Sequence, residues 1–304
     1  MKKILLQLDV DPQPCSFDAI TAIDAGADTI LRHGNVSVDN VVPLVHGAMF
    51  TRGANHLSST GIFLGGKDIS KVEDVASRIS ETFFDSIRVS VFLDPAGANT
   101  TAVAAVIAAK RHISFATSEG MKNCQALVLG GTGPVGQRVS RLLASEGVHV
   151  HLVSRSLKRA STCCQIIQKK IPNAHLEAIS EKTIGAVIGS ADLIISAGKS
   201  GIKMLTATQL SQAISNRVCI DLNAVPPAGI DGVHTTDDAR RDGTKYIYGA
   251  FGVGVTKMKI HRAAIQQIFQ TNDQWLDAEE LLMLSDRFML SERSSFPVNK
   301  PINQ

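Results

Sequence analysis

The stretch Gln125-Ala126-Leu127-Val128-Leu129-Gly130-Gly131-Thr132-Gly133-Pro134-Val135-Gly136 decides the fold. Its first half is an apolar run of strand length. Its second half is a G-x-G-x-x-G sequence opening a helical pattern, in which Val135, Val139, Leu142 and Leu143 recur at i, i+4, i+7 and i+8 before Gly147. A second strand pattern follows over 148–153. Strand, glycine turn, helix and strand at this spacing read as a dinucleotide-binding unit. Gly131 is expected to permit the tight turn, Gly133 to let backbone N–H groups approach a pyrophosphate, and Gly136 to let the helix pack on the strand. Pro134 suits a first helical turn. The positive helix end then faces the phosphates, with Thr132 and Val135 in the same cofactor-binding loop.

The end of the second strand selects the dinucleotide. An NAD site calls for an acidic residue here to bind the ribose hydroxyls. The chain has Ser154-Arg155-Ser156-Leu157-Lys158-Arg159 instead. Ser154, Arg155, Lys158 and Arg159 offer a hydroxyl and three cations where a 2′-phosphate would sit, so NADP is the expected cofactor and NAD the weaker alternative. A strand pattern over 191–196 ends at Ala197 and Gly198, expected to border the nicotinamide half together with Gly201. Another over 218–221 leads into Asn223, placed against the cofactor, and into Pro226-Pro227, either a cis bond or an ordinary rigid turn.

Working outward, strand and helix patterns alternate through the first third as well. Strands are expected at 4–8, 61–66 and 88–93. Helices are expected from a Ser16 cap toward Gly26, over 38–45, over 69–84, and over the Ala-rich 102–109, placed in the centre of a lobe. The pattern loosens around 111–122. The expected architecture is α/β, with two α/β lobes. Residues 1–118 form one lobe, joined by C-terminal helices in 270–290. Residues 119–269 form a Rossmann-type dinucleotide-binding domain, the substrate cleft lies between the two, and 291–304 is a loose tail.

Composition narrows the function. The 304 residues are 44% apolar, with 24 Gly and 10 Pro, which excludes a disordered or collagen-like chain. Basic and acidic residues number 31 and 28, a net +3 that leaves little electrostatic footprint for nucleic acid or a membrane surface. No apolar run approaches the ~20 residues of a membrane span, and Gln7 and Asp9 interrupt any signal-peptide pattern, so a cytoplasmic location is expected. The five cysteines contain no C-x-x-C pair and read as reduced, mostly buried residues. His149 and His151 share a strand face, but no third ligand lies nearby in sequence, and no metal is expected.

Seven motifs, the glycine loop among them, share one order and spacing. They are Asp9-Val10-Asp11 with Phe17-Asp18; Gly34-Asn35-Val36; Thr51-Arg52-Gly53; Asp94 through Gly97-Ala98-Asn99-Thr100-Thr101-Ala102; the glycine loop; Asn223 through Pro227; and Lys257-Met258-Lys259-Ile260-His261-Arg262. On these the chain resembles the methylene-tetrahydromethanopterin dehydrogenases of methylotrophic bacteria over nearly its whole length to about Met289. The resemblance implies an NAD(P)-dependent, homo-oligomeric enzyme of one-carbon metabolism and formaldehyde oxidation, with a reduced pterin of the tetrahydromethanopterin class in the cleft. Its tail beyond Ser291 departs from the family pattern.

Oxidising a methylene bridge between two nitrogens needs little acid–base chemistry, because those nitrogens stabilise the cation produced. The protein's task is positioning, helped by a carboxylate near the developing charge. Asp18, Asp94 and Lys257 are therefore the catalytic candidates; for each aspartate the alternative is a helix cap or a solvated loop. Asn99, Thr100, Thr101 and Gly201 are the substrate-binding candidates, with capping of the Ala-rich helix as the alternative for the two threonines. A methylenetetrahydrofolate dehydrogenase and a non-catalytic NADPH-sensing protein are the competing readings.

Overall fold

The structure, a computed structural model, describes residues 1–113 and 120–294. The first segment alternates β1 (Ile4–Asp9), α1 (Ser16–Asp24), β2 (Thr29–His33), α2 (Val41–Phe50), β3 (Thr60–Gly65), α3 (Ile69–Thr82), β4 (Ser90–Leu93) and α4 (Ala98–Ile113). The second runs β5 (Gln125–Leu129), α5 (Pro134–Ser145), β6 (His149–Ser154), α6 (Leu157–Lys170), β7 (Leu176–Ser180), β8 (Leu193–Ser196), α7 (Ala207–Ser211), β9 (Val218–Asp221), β10 (Arg240–Asp242), β11 (Lys245–Tyr248) and α8 (Ala250–Gln267). The chain then returns through β12 (Trp275–Leu276) to α9 (Ala278–Ser294).

Two sheets result. The first has the order β12-β4-β3-β1-β2 and is parallel throughout. Its central strands are buried on both faces, as a parallel sheet covered by helices requires. The second has the order β10-β11-β9-β8-β5-β6-β7, parallel except for the β10–β11 hairpin at one edge. Between them lies α4. Its run of Ala and Val is buried almost end to end, and these small side chains let α5, α8 and α9 all pack against it. It therefore bridges both lobes, where the sequence placed it inside one. The Lys110 ammonium on α4 binds Glu146 at 3.0 Å and Asp286 at 2.9 Å, tying the end of α5 to α9.

Several expected boundaries move. Cys15, with no side-chain cap bond, precedes α1 in place of a Ser16 cap. The second helix begins at Val41 and runs to Phe50. The strands β2, β7, β10, β11 and β12 lacked a clear period because most are short edge strands carrying charge or only half buried, the usual form of a protected edge. Residues 291–294 continue α9 rather than starting a loose tail, and 295–304 lie outside the described residues, as does the expected boundary at 118/119. No helix among the described residues is long and apolar enough to cross a membrane. All five cysteines are free and only Cys15 is exposed; burial pushes the Cys164 thiol up to about 11 and Cys219 to about 12.

Candidate active site

Each sheet has one point where the strand order reverses, and ligands of open α/β sheets bind beyond the strand carboxyl ends there. In the second sheet the point lies between β5 and β8. Gly130 takes φ +68°, and a Cβ on it would stand 2.5 Å from the Gly198 Cα, so the two strand ends touch backbone to backbone. The tight turn is thus at Gly130, one residue before the expected Gly131. Gly131 is glycine for another reason, since a Cβ there would meet the Leu152 side chain at 2.5 Å. Gly136 packs as expected, 2.5 Å from the Gly130 carbonyl oxygen measured from an added Cβ.

A cleft of about 560 Å³ opens at this point. Gly130, Thr132 and Gly133 line one wall, Ser154, Arg155, Ser156 and Arg159 the end of β6, and Ala197 with Gly198 the end of β8. The N-terminus of α5, with Pro134 in its first turn, begins directly after Gly133. Ser154 is buried, its hydroxyl 3.2 Å from that of Thr132 and accepting the Ser156 N–H at 3.3 Å, which ties the glycine turn to the β6 end. Arg155 and Arg159 are exposed and make no ion pair among the described residues. Lys158 is exposed and off the lining, as its place one residue round the helix from Arg159 dictates. Gly131, Pro134, Val135 and Gly136 support the loop from behind and do not line the cleft. Lys199 and Lys203 add cations the sequence reading missed, Lys203 bound to Asp231 at 2.6 Å, and Glu181 adds an acid.

Asn223 and Gly201 act together. The buried Asn223 carboxamide accepts the Gly201 N–H at 3.3 Å and the Val225 N–H at 3.0 Å, and donates to the Pro227 carbonyl at 2.7 Å. It holds the loop after β8 against the loop after β9, in which the Pro226–Pro227 bond is cis. Neither residue lines the cleft itself.

In the first sheet the order reverses between β1 and β3, and three acidic or glycine-bearing strand ends gather there: Asp9, Gly65-Gly66 and Asp94. Asp94 is 3% exposed; its carboxylate accepts the Thr100 N–H at 3.1 Å and the Thr100 hydroxyl at 2.6 Å. Burial alone would push this carboxyl up, yet the His261 ring, the Lys257 charge and the Thr100 hydroxyl together hold it below the usual carboxylate value. Asp18, in the first turn of α1, is shifted upward, because burial outweighs the pull of His261 and Asp94 repels it. The Lys257 ammonium sits 4.9 Å from the Phe17 ring centroid and against Gly97, where a Cβ would be 3.3 Å from it. The three catalytic candidates therefore converge, from α1, the β4 end and α8.

The substrate-binding candidates Asn99, Thr100, Thr101 and Gly201 do not line the cleft described above. Asn99 is fully buried at the start of α4; its amide donates to the Leu93 carbonyl and to Asp277, both at 2.7 Å, and its oxygen accepts from Arg138. It braces α4 between α5 and α9. Thr100 spends its hydroxyl on Asp94, and Thr101 donates to the Gly97 carbonyl at 2.6 Å, the capping role weighed for it above. His149 stacks on His175 at 4.5 Å, and among the described residues no group of three or more His, Cys, Asp or Glu is arranged to hold a metal.

Residues 16–96 match the N-terminal methylene-tetrahydromethanopterin dehydrogenase family, and residues 108–241 match the shikimate / quinate 5-dehydrogenase family. The bifunctional protein MdtA of Methylorubrum extorquens is 37% identical over 93% of this chain and 98% of its own. The NAD(P)-dependent methylenetetrahydromethanopterin dehydrogenase of the same organism is 32% identical over 89% of this chain and 91% of its own. The chain belongs to the methylene-tetrahydromethanopterin dehydrogenase family. Quinate dehydrogenase from Corynebacterium glutamicum in complex with NAD shares the fold, with a TM-score of 0.52 at 13% identity over 94% of this chain and 99% of that one.

Within this family member, His261 is the residue sequence reasoning passed over. It sits one helical turn after Lys257, so both project from one side of α8 toward Asp94. The i, i+4 spacing was legible; the carboxylate waiting for it, from a segment far away in sequence, was not.

Proposed function

We propose that this protein is an NADP-dependent methylene-tetrahydromethanopterin dehydrogenase that transfers a hydride directly from the methylene carbon to the nicotinamide, giving the methenyl cation. The observation that carries the reading is the pair of switch-point sites, one basic and glycine-lined, the other a convergence of Asp18, Asp94 and Lys257, in a chain of this family. The residues at the first fit a dinucleotide: its glycine-lined wall, where a Cβ on Gly133 would stand 3.3 Å from the Gly130 oxygen, opens at the N-terminus of α5, and Arg155 and Arg159, which make no ion pair among the described residues, stand beside Ser154. When bound, the oxidised nicotinamide supplies a hydride acceptor.

The first lobe's residues then have two tasks. Phe17, Asp18 and Lys257 surround the place for a flat, polar ring system, and the Asp94 and Asp18 carboxyl groups stand where they would match a substrate that becomes a cation. No group has to move a proton during the step, so the turnover number is expected to be flat with pH through neutrality. The free cysteines support the cytoplasm as its compartment. A homo-oligomer is proposed on the exposed Ile20, Ile23, Phe251 and Val255 of the neighbouring α1 and α8, to be checked by sedimentation.

The test is a spectrophotometric assay with NADP and NAD against methylene-tetrahydromethanopterin and methylene-tetrahydrofolate. NADP with the methanopterin is expected to be far the best pair. Faster turnover with the folate would make this a folate enzyme, and nucleotide binding without turnover of either would make it a sensor.

A further inference from the structure

His261 presents a physical problem. Its side chain is completely buried, inside a cage of phenyl rings from Phe17, Phe63 and Phe92 with centroids 6.2, 5.6 and 5.1 Å away. Phe92 and Phe17 meet it edge-on, whereas Phe63 is tilted by 32°. A fourth phenyl ring would suit such a cage better, since neither imidazole nitrogen has a hydrogen-bond partner within ordinary distance and a buried polar group left unpaired costs about 1–3 kcal/mol. The ion-pair contact of His261 among the described residues is with Asp94, whose Oδ2 lies 3.6 Å from Nδ1. The cage thus holds an imidazole edge against a buried carboxylate, slightly beyond hydrogen-bond length.

We propose that His261 is a positioning residue for the pterin site: its caged imidazole holds the Asp94 carboxylate, and through it the Lys257 ammonium, in the arrangement the substrate meets. The inference rests on the functional reading above and adds a residue to it. His261 touches neither ligand in this account; it acts through Asp94. The charged groups facing Asp94 are Asp18 from α1, Lys257 and His261 from α8, and Arg138 from α5. Asp18 opposes its ionisation, while Lys257 and Arg138 favour it. The His261 ring favours it as well, and Thr100 supplies the neutral hydrogen bonds. Remove the imidazole and burial is left with less to oppose it, so the carboxyl takes up its proton at a higher pH. Lys257 then loses the anion it faces.

The experiment compares kcat/KM for methylene-tetrahydromethanopterin at saturating NADP across pH in the wild type, His261→Phe, His261→Gln and Asp94→Asn. The wild type is expected to be flat above about pH 5. His261→Phe, which fits the cage but offers Asp94 nothing, is expected to show an acid limb inside this range, with at least a tenfold loss of kcat/KM at its lower end carried by KM. His261→Gln retains an N–H donor and is expected to restore most of the flat profile. Asp94→Asn should show the low-pH KM at every pH, and adding His261→Phe to it should change KM by less than about twofold. Thermal denaturation checks that each variant folds, and His261→Met replaces His261→Phe if the phenyl ring is not accommodated. Flat profiles in every His261 variant, or a His261→Phe penalty that is unchanged in the Asp94→Asn background, would overturn the proposal while leaving the functional reading intact. An inactive wild type would overturn the functional reading and, with it, this one.

Discussion

Gly130 and Gly133 stand three residues apart in one loop, and the structure predicts opposite consequences for the same methyl group. At Gly130 the backbone is left-handed, φ +68°, which costs an alanine about 1–2 kcal/mol. Its Cβ would also stand 2.5 Å from the Gly198 Cα, 2.7 Å from the Gly198 nitrogen and 2.9 Å from the Ala197 carbonyl carbon. These are backbone atoms of the adjoining strand end and cannot rotate away, so overpacking adds about 1–3 kcal/mol. Gly130→Ala should therefore destabilise the protein by about 2–5 kcal/mol, a fall in Tm of roughly 4–20 °C. Gly133 has an ordinary φ of −79°, and its nearest neighbour would be the Gly130 oxygen at 3.3 Å. Gly133→Ala should leave Tm within about 2 °C and weaken NADP about tenfold, because the methyl stands where the phosphates approach the N–H groups. Calorimetry and a fluorescence titration with NADPH read the two effects separately. Unchanged stability in Gly130→Ala would refute the backbone contact between the two strand ends, and unchanged NADPH affinity in Gly133→Ala would make that glycine purely structural.

Three more outcomes are expected. Arg155→Ala should raise the KM for NADP about ten- to a hundredfold and leave that for NAD nearly unchanged, as loss of one charge-assisted bond to a phosphate would do; equal effects on both cofactors would dismiss the 2′-phosphate assignment. Asn99→Ala strips the buried Arg138 guanidinium of its Asn99 partner and should cost about 1.5–3 kcal/mol in urea denaturation, with a loss under about 0.5 kcal/mol showing that α4 needs no such brace. Because the Asp94 carboxyl is held low in the folded state, the stability it contributes is present above the unfolded carboxylate value of about 3.9 and is lost as pH falls through the lower folded value. Asp94→Asn should thus flatten the decline of Tm below about pH 4, and a parallel decline in variant and wild type would remove Asp94 from the account.

The glycine-lined crevice was legible because its parts are nearly contiguous. Gly130 to Gly136 and Ser154 to Arg159 lie on two consecutive strand ends, so the spacing in sequence already brings them together. Lys199 and Lys203 escaped notice because their loop is brought over the crevice by Asn223 from the next strand, a long-range bond that no spacing announces. The other site was half legible. Asp18, Asp94 and Lys257 stand on three distant segments, and only the fold makes them neighbours. Asn99 read as a substrate contact and Thr100 as a substrate contact or a helix cap; α4 begins at Ala98, one residue earlier, and buries both side chains. The edge strands β2, β7 and β12 were invisible for want of any two-residue period.

The placement of β12 has a consequence for synthesis. Trp275 and Leu276 pair with Val91 and Phe92 at one side of the first sheet, and nearby Thr271 accepts the Ser90 hydroxyl and Asn272 donates to the Ser86 and Arg88 carbonyls. Everything from β5 to α8 is made in between. At about 5–20 residues per second, a ribosome leaves the apolar flank of β4 unpaired for on the order of ten seconds or more while the whole nucleotide lobe emerges. A nascent chain halted anywhere in that interval exposes Val91, Phe92 and Leu93 as an open strand edge, a surface to which a trigger-type chaperone or a second nascent chain can add. For the same reason a fragment ending at Ile113 lacks both the strand that closes the first sheet and the α8 residue His261 that packs on Phe63 and Phe92.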